Sequence, residues 1–408
     1  MLALREWAPS PPLALSAQEL YDLRFCGAGI VIQPSGSGTY QLTPGSIVGS
    51  ISTPTLRVVI RPKFPIERVF YVIATARRIE LSRSLTVLGE QPDLTEGFVG
   101  LYINMLAPRL RRGLLKGYRQ EKDSLQTIRG RLRTADQARR RYGLPLPVEV
   151  SFDEFTEDIP ENRLIKASLR ALQRTQIESS ALRQRINAAL AAMELVADHR
   201  YTRLQMPVFS CTRLNEHYRH VLELAALIVQ RFALELRDGD RAISGLLFDM
   251  NRIFEDFVYG GLDRRLRRLL GPAHRWEHGR PMSLDLEDVL RPEPDLSWWR
   301  GAECMFVGDA KYKHTEHGRL GDLYQLLAYC SAADLPTGLL IYAEQPAGPA
   351  EHRVVRGGPR LRVTALDVTD PVSQIELRLD RLAADIAADV FAPPLTSSSG
   401  QGAASVDS

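Results

Sequence analysis

Along the first ninety residues, apolar positions come in short runs broken by glycine and proline. In TLRVVIRPKF, Leu56, Val58 and Ile60 alternate with Arg57, Val59 and Arg61. That two-residue period predicts a half-buried strand, which Pro62 ends. QPSGSGTY, between GAGIVI and the next short run, predicts a hairpin loop. Residues 1–95 therefore read as a β-rich N-terminal domain, with a helix over 66–78 closing it.

From 96 to 242 the period lengthens. Ile165, Leu169 and Leu172 recur at i, i+4 and i+7, and Leu182, Ile186, Leu190 and Met193 repeat the stripe, so this region reads as a helical connector. A further helix is predicted over 215–236. APRLRRGLLKGYR and IRGRLRTADQARRRY are rich in arginine, which suits a solvated face or a non-specific grip on a phosphate backbone. A third unit is predicted over 243–393. In FDMNRIFEDFVYGGL, Met250, Ile253, Phe254, Phe257 and Val258 share one side of a helix that Asp249 is placed to cap. Strands follow at PDLSWW, ECMFVGDAKY, GLLIYAEQ and LRVTALDV, with helices over 320–332 and 372–390, the order of a mixed α/β sheet. Residues 394–408 are small and polar and predict a disordered tail. No internal repeat is visible. The fold class is thus multidomain α+β.

Composition narrows the class. The chain has 408 residues, 44% hydrophobic, 25% charged and 7% aromatic, the balance of a globular protein rather than a fibrous or disordered one. No run approaches the roughly 18 to 20 apolar residues of a membrane span, and MLALREWAPSPP lacks a signal-like pattern, so the expected location is cytoplasmic with no membrane partner. Cys26, Cys211, Cys304 and Cys330 form no close pair and read as reduced core thiols. A net charge of +3 neither requires nor excludes nucleic acid. Of the 52 basic residues only six are lysine (Lys63, Lys116, Lys122, Lys166, Lys311, Lys313) and the other 46 are arginine, so the two lysines of DAKYK stand out.

The candidate chemistry lies there. Pro294-Asp295 enters one predicted strand, and Asp309-Ala310-Lys311 closes the next, 14 residues on. Two carboxylates on adjacent strands repel one another and are stabilised by a hard divalent cation with oxygen ligands, here Mg²⁺. The Ala310 carbonyl adds another oxygen. Lys311, two positions after Asp309, points to the same side of its strand and can orient a water or neutralise charge at a phosphate. This spacing is the PD-(D/E)xK nuclease signature, the fold expected of the C-terminal domain. Glu255 on the preceding helix reads either as a surface carboxylate or as an aid in holding metal or water. Gln325 and Tyr329 stand at i and i+4 on the following helix and can approach the site, although such a tyrosine is also an ordinary core residue.

Other chemistries have no support. No GxxxxGK[ST] loop is present to hold a nucleotide. No cysteine or histidine pairing suits zinc, His314 and His317 being isolated on a predicted loop. Cys330 is the last cysteine, which excludes an iron–sulfur cluster after the QxxxY helix.

The chain resembles the McrC family, nuclease subunits of McrBC-type modification-dependent (type IV) restriction systems. The resemblance is carried by RVVIRPKF, IRGRL at 128–132, FDEFTEDIPENRLIKASL at 152–169, LLFDMNRIFEDFV at 246–258, RPEPDL, GDAKYK and DLYQLLAY, in order along nearly the whole chain. It implies an N-terminal half that docks on a ring of a McrB-like AAA+ GTPase hexamer and stimulates its GTP hydrolysis, GTP being bound by that partner. It implies a Mg²⁺-dependent endonuclease acting on double-stranded DNA with modified cytosine, at Asp295, Asp309 and Lys311, the modified base being read by the partner. Arg61 and Lys63 are candidates for the partner's GTPase site or simply end their strand. Alternative readings are an adaptor that activates the GTPase with weak or silent cleavage, and a stand-alone RecB-like repair nuclease.

Overall fold

The computed structural model describes residues 1–391 apart from 37, 54, 77–93, 202–204, 208, 210–211, 214, 233–243, 272–273, 313–318 and 345–349. Cys211, Lys313, His314, His317, the ends of the helices predicted to reach 78 and 236, and the tail over 394–408 lie outside the described residues. The chain divides into two compact units, Met1–Glu67 with Glu80–Phe248, and Arg68–Ile79 with Asp249–Ser408. The sequence reading set boundaries near 95 and 242, whereas residues on both sides of 95 share the first unit.

The first unit opens with β1 (Leu2–Arg5), β2 (Leu13–Ala14), α1 (Ala17–Phe25), β3 (Ile30–Pro34), β4 (Thr39–Pro44), β5 (Ile47–Ser52) and β6 (Arg57–Arg61). The predicted hairpin forms, with β3 antiparallel to β4 across 35–38. β6 lies between β1 and β5, and Val58, Val59 and Ile60 are all buried. Consecutive residues point to opposite faces, so the strand is covered on both faces rather than half-buried, and its apolar core Val58-Val59-Ile60 is the run that such a strand carries. α2 (Ile66–Ala76) follows, and from Arg68 it belongs to the second unit.

The first unit resumes with α3 (Leu94–Arg111), β7 (Gly117–Leu125), β8 (Arg131–Leu132), α4 (Thr134–Arg140), β9 (Val148–Thr156), α5 (Pro160–Gln173), α6 (Ser180–Ala191), α7 (Arg219–Phe232) and β10 (Ser244–Asp249). The helical connector is thus corrected: a three-stranded sheet, β7-β9-β8, interrupts it. β7, GYRQEKDSL, has no buried residue, so it lacks the apolar alternation that announces a strand. The IRGRL segment forms the approach to β8, where Gly130 has φ +70° and a Cβ there would lie 2.4 Å from the Ser151 carbonyl oxygen, so only glycine fits. The Arg129 guanidinium stacks 3.9 Å above the Phe152 ring. Residues 244–248, expected within the C-terminal unit, instead belong to the first, where β10 completes the sheet β1-β6-β5-β10.

FDEFTEDIPENRL is knit by one buried acid. Asp158 Oδ1 accepts from Arg163 Nε at 2.7 Å and from the Ala197 amide at 2.9 Å, while Oδ2 accepts from Arg163 Nη2 at 2.8 Å and from Arg119. These bonds, Arg163 first, hold its carboxyl below the usual range despite burial. Such stability exists above the unfolded carboxylate pKa of ~3.9 and is lost as pH falls through the folded value. Asp158→Asn is expected to cost about 3 kcal/mol at neutral pH by leaving Arg119 and Arg163 underpaired. Urea unfolding at pH 7 and pH 2 checks it, the difference from wild type shrinking at the lower pH.

The second unit adds α8 (Met250–Leu270), β11 (His274–Glu277), β12 (Leu296–Arg300), β13 (Glu303–Lys311), α9 (Arg319–Ala332), β14 (Thr337–Tyr342), β15 (Glu351–Arg353), β16 (Arg360–Ala365) and α10 (Val372–Phe391). As predicted, Asp249 caps α8 by accepting from the Asn251 amide at 3.1 Å, and Met250, Ile253, Phe254, Phe257 and Val258 are buried. The sheet runs β11-β12-β13-β14-β16-β15 and is mixed: β12 is antiparallel to β13, while β13, β14 and β16 are parallel. Val307, Leu340, Tyr342 and Val363 form one core with Leu323, Leu326, Tyr329 and Cys330 of α9. From the first unit's side of the sequence, Tyr71 of α2 stands edge-on to Phe257 at 5.9 Å and donates to Glu376 of α10.

Candidate active site

Strand register brings the predicted acids together. Leu296 pairs with Gly308, so one further step along the antiparallel ladder sets Asp295 opposite Asp309. Asp295 Oδ2 accepts from the Ala310 amide at 3.0 Å. Lys311, on the Asp309 side of β13, forms an ion pair with Asp309 and lies 3.9 Å from Asp295 Oδ2. One ammonium thus stands against both carboxylates.

Burial dominates the electrostatics. The Asp309 side chain is 1% exposed, no hydrogen-bond donor reaches its Oδ1 among the described residues, and Oδ2 faces the Lys311 ammonium. Burial first, then the charge of Asp295, pushes its carboxyl up to about 7 against the pull of Lys311. Burial likewise raises Asp295, with the Glu255 charge adding to it. Burial opposes the charge of Lys311, yet Asp309 beside it overcomes this and its pKa rises. Glu255 belongs to the same electrostatic group: burial pushes it up to about 7, Lys311 lowers it and Asp309 raises it. Glu255 is thus half-buried rather than a surface carboxylate, and it shares the field of Lys311 and Asp309.

Gln325 and Tyr329 act in series. Gln325 Nε2 donates to the Tyr329 hydroxyl at 2.6 Å, and Tyr329 donates to the Glu293 carbonyl at 3.0 Å. Gln325 is exposed and Tyr329 buried. The pair fixes the backbone two residues before Asp295. Burial, followed by the charges of Asp309 and Asp295, raises the tyrosine pKa. Sequence reasoning missed Asp322 and Tyr342, whose hydroxyl donates to Asp322 Oδ2 at 2.8 Å, both buried. Asp322 stands at i−3 from Gln325, a spacing that could have shown it.

The groups that could offer oxygen to a cation are the Asp295 and Asp309 carboxylates, the Ala310 carbonyl and, within electrostatic reach, Glu255. Among the described residues no cluster of three or more His, Cys, Asp or Glu side chains is set to hold a metal ion. The undonated, sealed Oδ1 of Asp309 is nonetheless the kind of group a hard divalent cation satisfies. A cavity of about 1080 Å³ lies at the opposite end of β13, lined by Arg280, Trp299, Cys304 and Arg360, and holds none of these groups. Among the described residues no helix is long and apolar enough to cross a membrane.

A family model described as McrBC 5-methylcytosine restriction system component matches residues 42–343. The fold is similar to a chain of the refined half-complex from the tetradecameric assembly of Thermococcus gammatolerans McrB AAA+ hexamers with bound McrC. That match has 20% identity and a TM-score of 0.60, covering 94% of this chain and 99% of that one. A chain of the cryo-EM structure of the Thermococcus gammatolerans McrBC complex also matches, at 22% identity and a TM-score of 0.45, covering 65% of this chain and 88% of that one. No curated protein matches. The multidomain α+β fold and the matched span define a component of a restriction system. More particularly, the chain belongs to the McrBC 5-methylcytosine restriction system component family, whose model takes in Asp295, Asp309 and Lys311. The family read from the motifs is borne out.

Proposed function

We propose that the chain is the McrC-type nuclease subunit of its system: a Mg²⁺-dependent DNA endonuclease with a PD-(D/E)xK site, which associates with a McrB-like AAA+ GTPase hexamer, stimulates its GTP hydrolysis and cleaves DNA containing modified cytosine. The observation that carries this reading is the sealed Asp309 carboxylate, set against Asp295 and Lys311 with one oxygen undonated. Neighbouring acids of this kind are costly to bury and persist where they serve chemistry.

Asp295, Asp309 and the Ala310 carbonyl would hold Mg²⁺, which when bound supplies Lewis-acid polarisation of the phosphate and acidifies water. Lys311 is placed to orient the attacking water or to neutralise charge gathering on the phosphate oxygens. Glu255, with a proton affinity near neutrality, suits the removal of a proton from that water. Gln325 acts through Tyr329, which steadies the backbone leading to Asp295. GTP is left to the partner, since the sequence has no phosphate loop.

Cleavage of methylated and unmethylated DNA, with Mg²⁺ and GTP, in the presence and absence of the GTPase subunit, tests the reading. Cutting is expected only of modified DNA and only with both subunits, and the chain alone should hydrolyse no GTP. Cutting that ignored the GTPase subunit would favour a stand-alone nuclease instead.

A further inference from the structure

Lys311 has a neighbour that the proposed mechanism leaves unused. β13 and β14 are parallel with Lys311 in register with Tyr342, so their side chains leave the same face of the sheet side by side. The Tyr342 side chain is fully buried, and its hydroxyl donates to Asp322 Oδ2 at 2.8 Å. Asp322 is itself only 5% exposed, in the first turn of α9, the helix that packs on this face. Tyrosine and aspartate thus form a fixed backing beside the lysine.

This backing has a task if the nuclease reading holds, and the inference rests on that reading. A cation taken up by Asp295 and Asp309 would engage the two carboxylates that now hold the ammonium. A flexible lysine stem with no remaining anion would then swing freely, at a loss of alignment with the water it serves. We propose that Asp322, held in place by Tyr342, is the positioning residue that keeps the Lys311 ammonium aimed at the reacting centre. Glu255 also bears on Lys311, from α8, while Asp322 bears on it from α9. Of the two, Asp322 is the one whose oxygen is fixed by a tyrosine hydroxyl from the strand beside the lysine. An ordinary explanation, an acid favoured at a helix N-terminus, accounts for its place in the first turn but not for its burial against Tyr342.

The test compares Asp322→Asn, Asp322→Glu, Tyr342→Phe and Lys311→Ala, each assembled with the GTPase subunit. Cleavage is measured as turnover number, KM for DNA and the Mg²⁺ concentration for half-maximal rate. Asp322→Asn is expected to lower turnover roughly tenfold, with KM, half-maximal Mg²⁺ and melting temperature unchanged. Tyr342→Phe should lower it severalfold, and Asp322→Glu should recover part of the loss. Wild-type turnover in Asp322→Asn alongside an inert Lys311→Ala would overturn the inference and leave the nuclease reading intact. A large rise in the Mg²⁺ requirement of Asp322→Asn would also overturn it, by making Asp322 a metal ligand. Cleavage unaffected by Lys311→Ala would remove the nuclease reading and this inference with it.

Discussion

Asp309→Ala is expected to abolish DNA cleavage, a loss of at least about 10³-fold, while stimulation of the partner GTPase stays at the wild-type level. Asp309 lies near the end of a central strand of the second unit with its carboxylate against the Lys311 ammonium, and removing it takes away a buried charge rather than a packing contact. The protein should therefore melt no earlier than wild type, and relief of the desolvated pair of acids would raise its melting temperature. Cleavage gels, GTPase rates and thermal melts on the same preparation separate the outcomes. Cutting that survived in this variant would remove Asp309 from the chemistry, and GTPase stimulation lost with the fold intact would mean that the two activities share a site.

A comparably large effect on stability is expected from Gly49→Ala, at about 3 kcal/mol or more. Gly49 in β5 has φ +122°, and a Cβ there would lie 2.1 Å from the Leu246 carbonyl oxygen and 3.2 Å from its carbon. Both obstructing atoms are backbone of β10, the neighbouring strand, so neither can rotate away. Gly245 mirrors the crowding, its Cβ falling 2.5 Å from the Ser50 carbonyl oxygen. Gly113→Ala is the control, since Gly113 has φ +93° but nothing within 4 Å, so it reports backbone strain alone, about 1 kcal/mol. Denaturant midpoints of the two variants give the clash by difference. If the two were equally stable, β10 would not be packed on β5 as described.

Much of the site was legible because its geometry is local. The spacing of Asp295 and Asp309 encodes a hairpin between two antiparallel strands, and the two-residue step to Lys311 encodes a shared face. Four strands and the three helices α8, α9 and α10 of the second unit were visible in their apolar runs. β11 and β15 were not, since HRWE and EHR are short edge segments with little apolar content. β7 was hidden for a related reason, its residues being polar on both faces. The Asp322–Tyr342 contact lies 20 residues apart in sequence and depends on which strand β13 pairs with, which no local pattern states.

The N-terminal half supplies α2 to the second unit, with Val69, Phe70, Tyr71, Val72 and Ile73 all buried and the Thr75 carbonyl oxygen 3.0 Å from where a Gly260 Cβ would stand. During synthesis on the ribosome this apolar helix emerges some 180 residues before α8. At the usual ~5 to 20 residues per second it waits roughly ten seconds or longer for the surface that covers it. Its exposure in that interval is a hazard for aggregation, and the nascent chain is a natural client for a holding chaperone. The same threading means that a gene fragment beginning at α8 would encode a domain lacking part of its own interior.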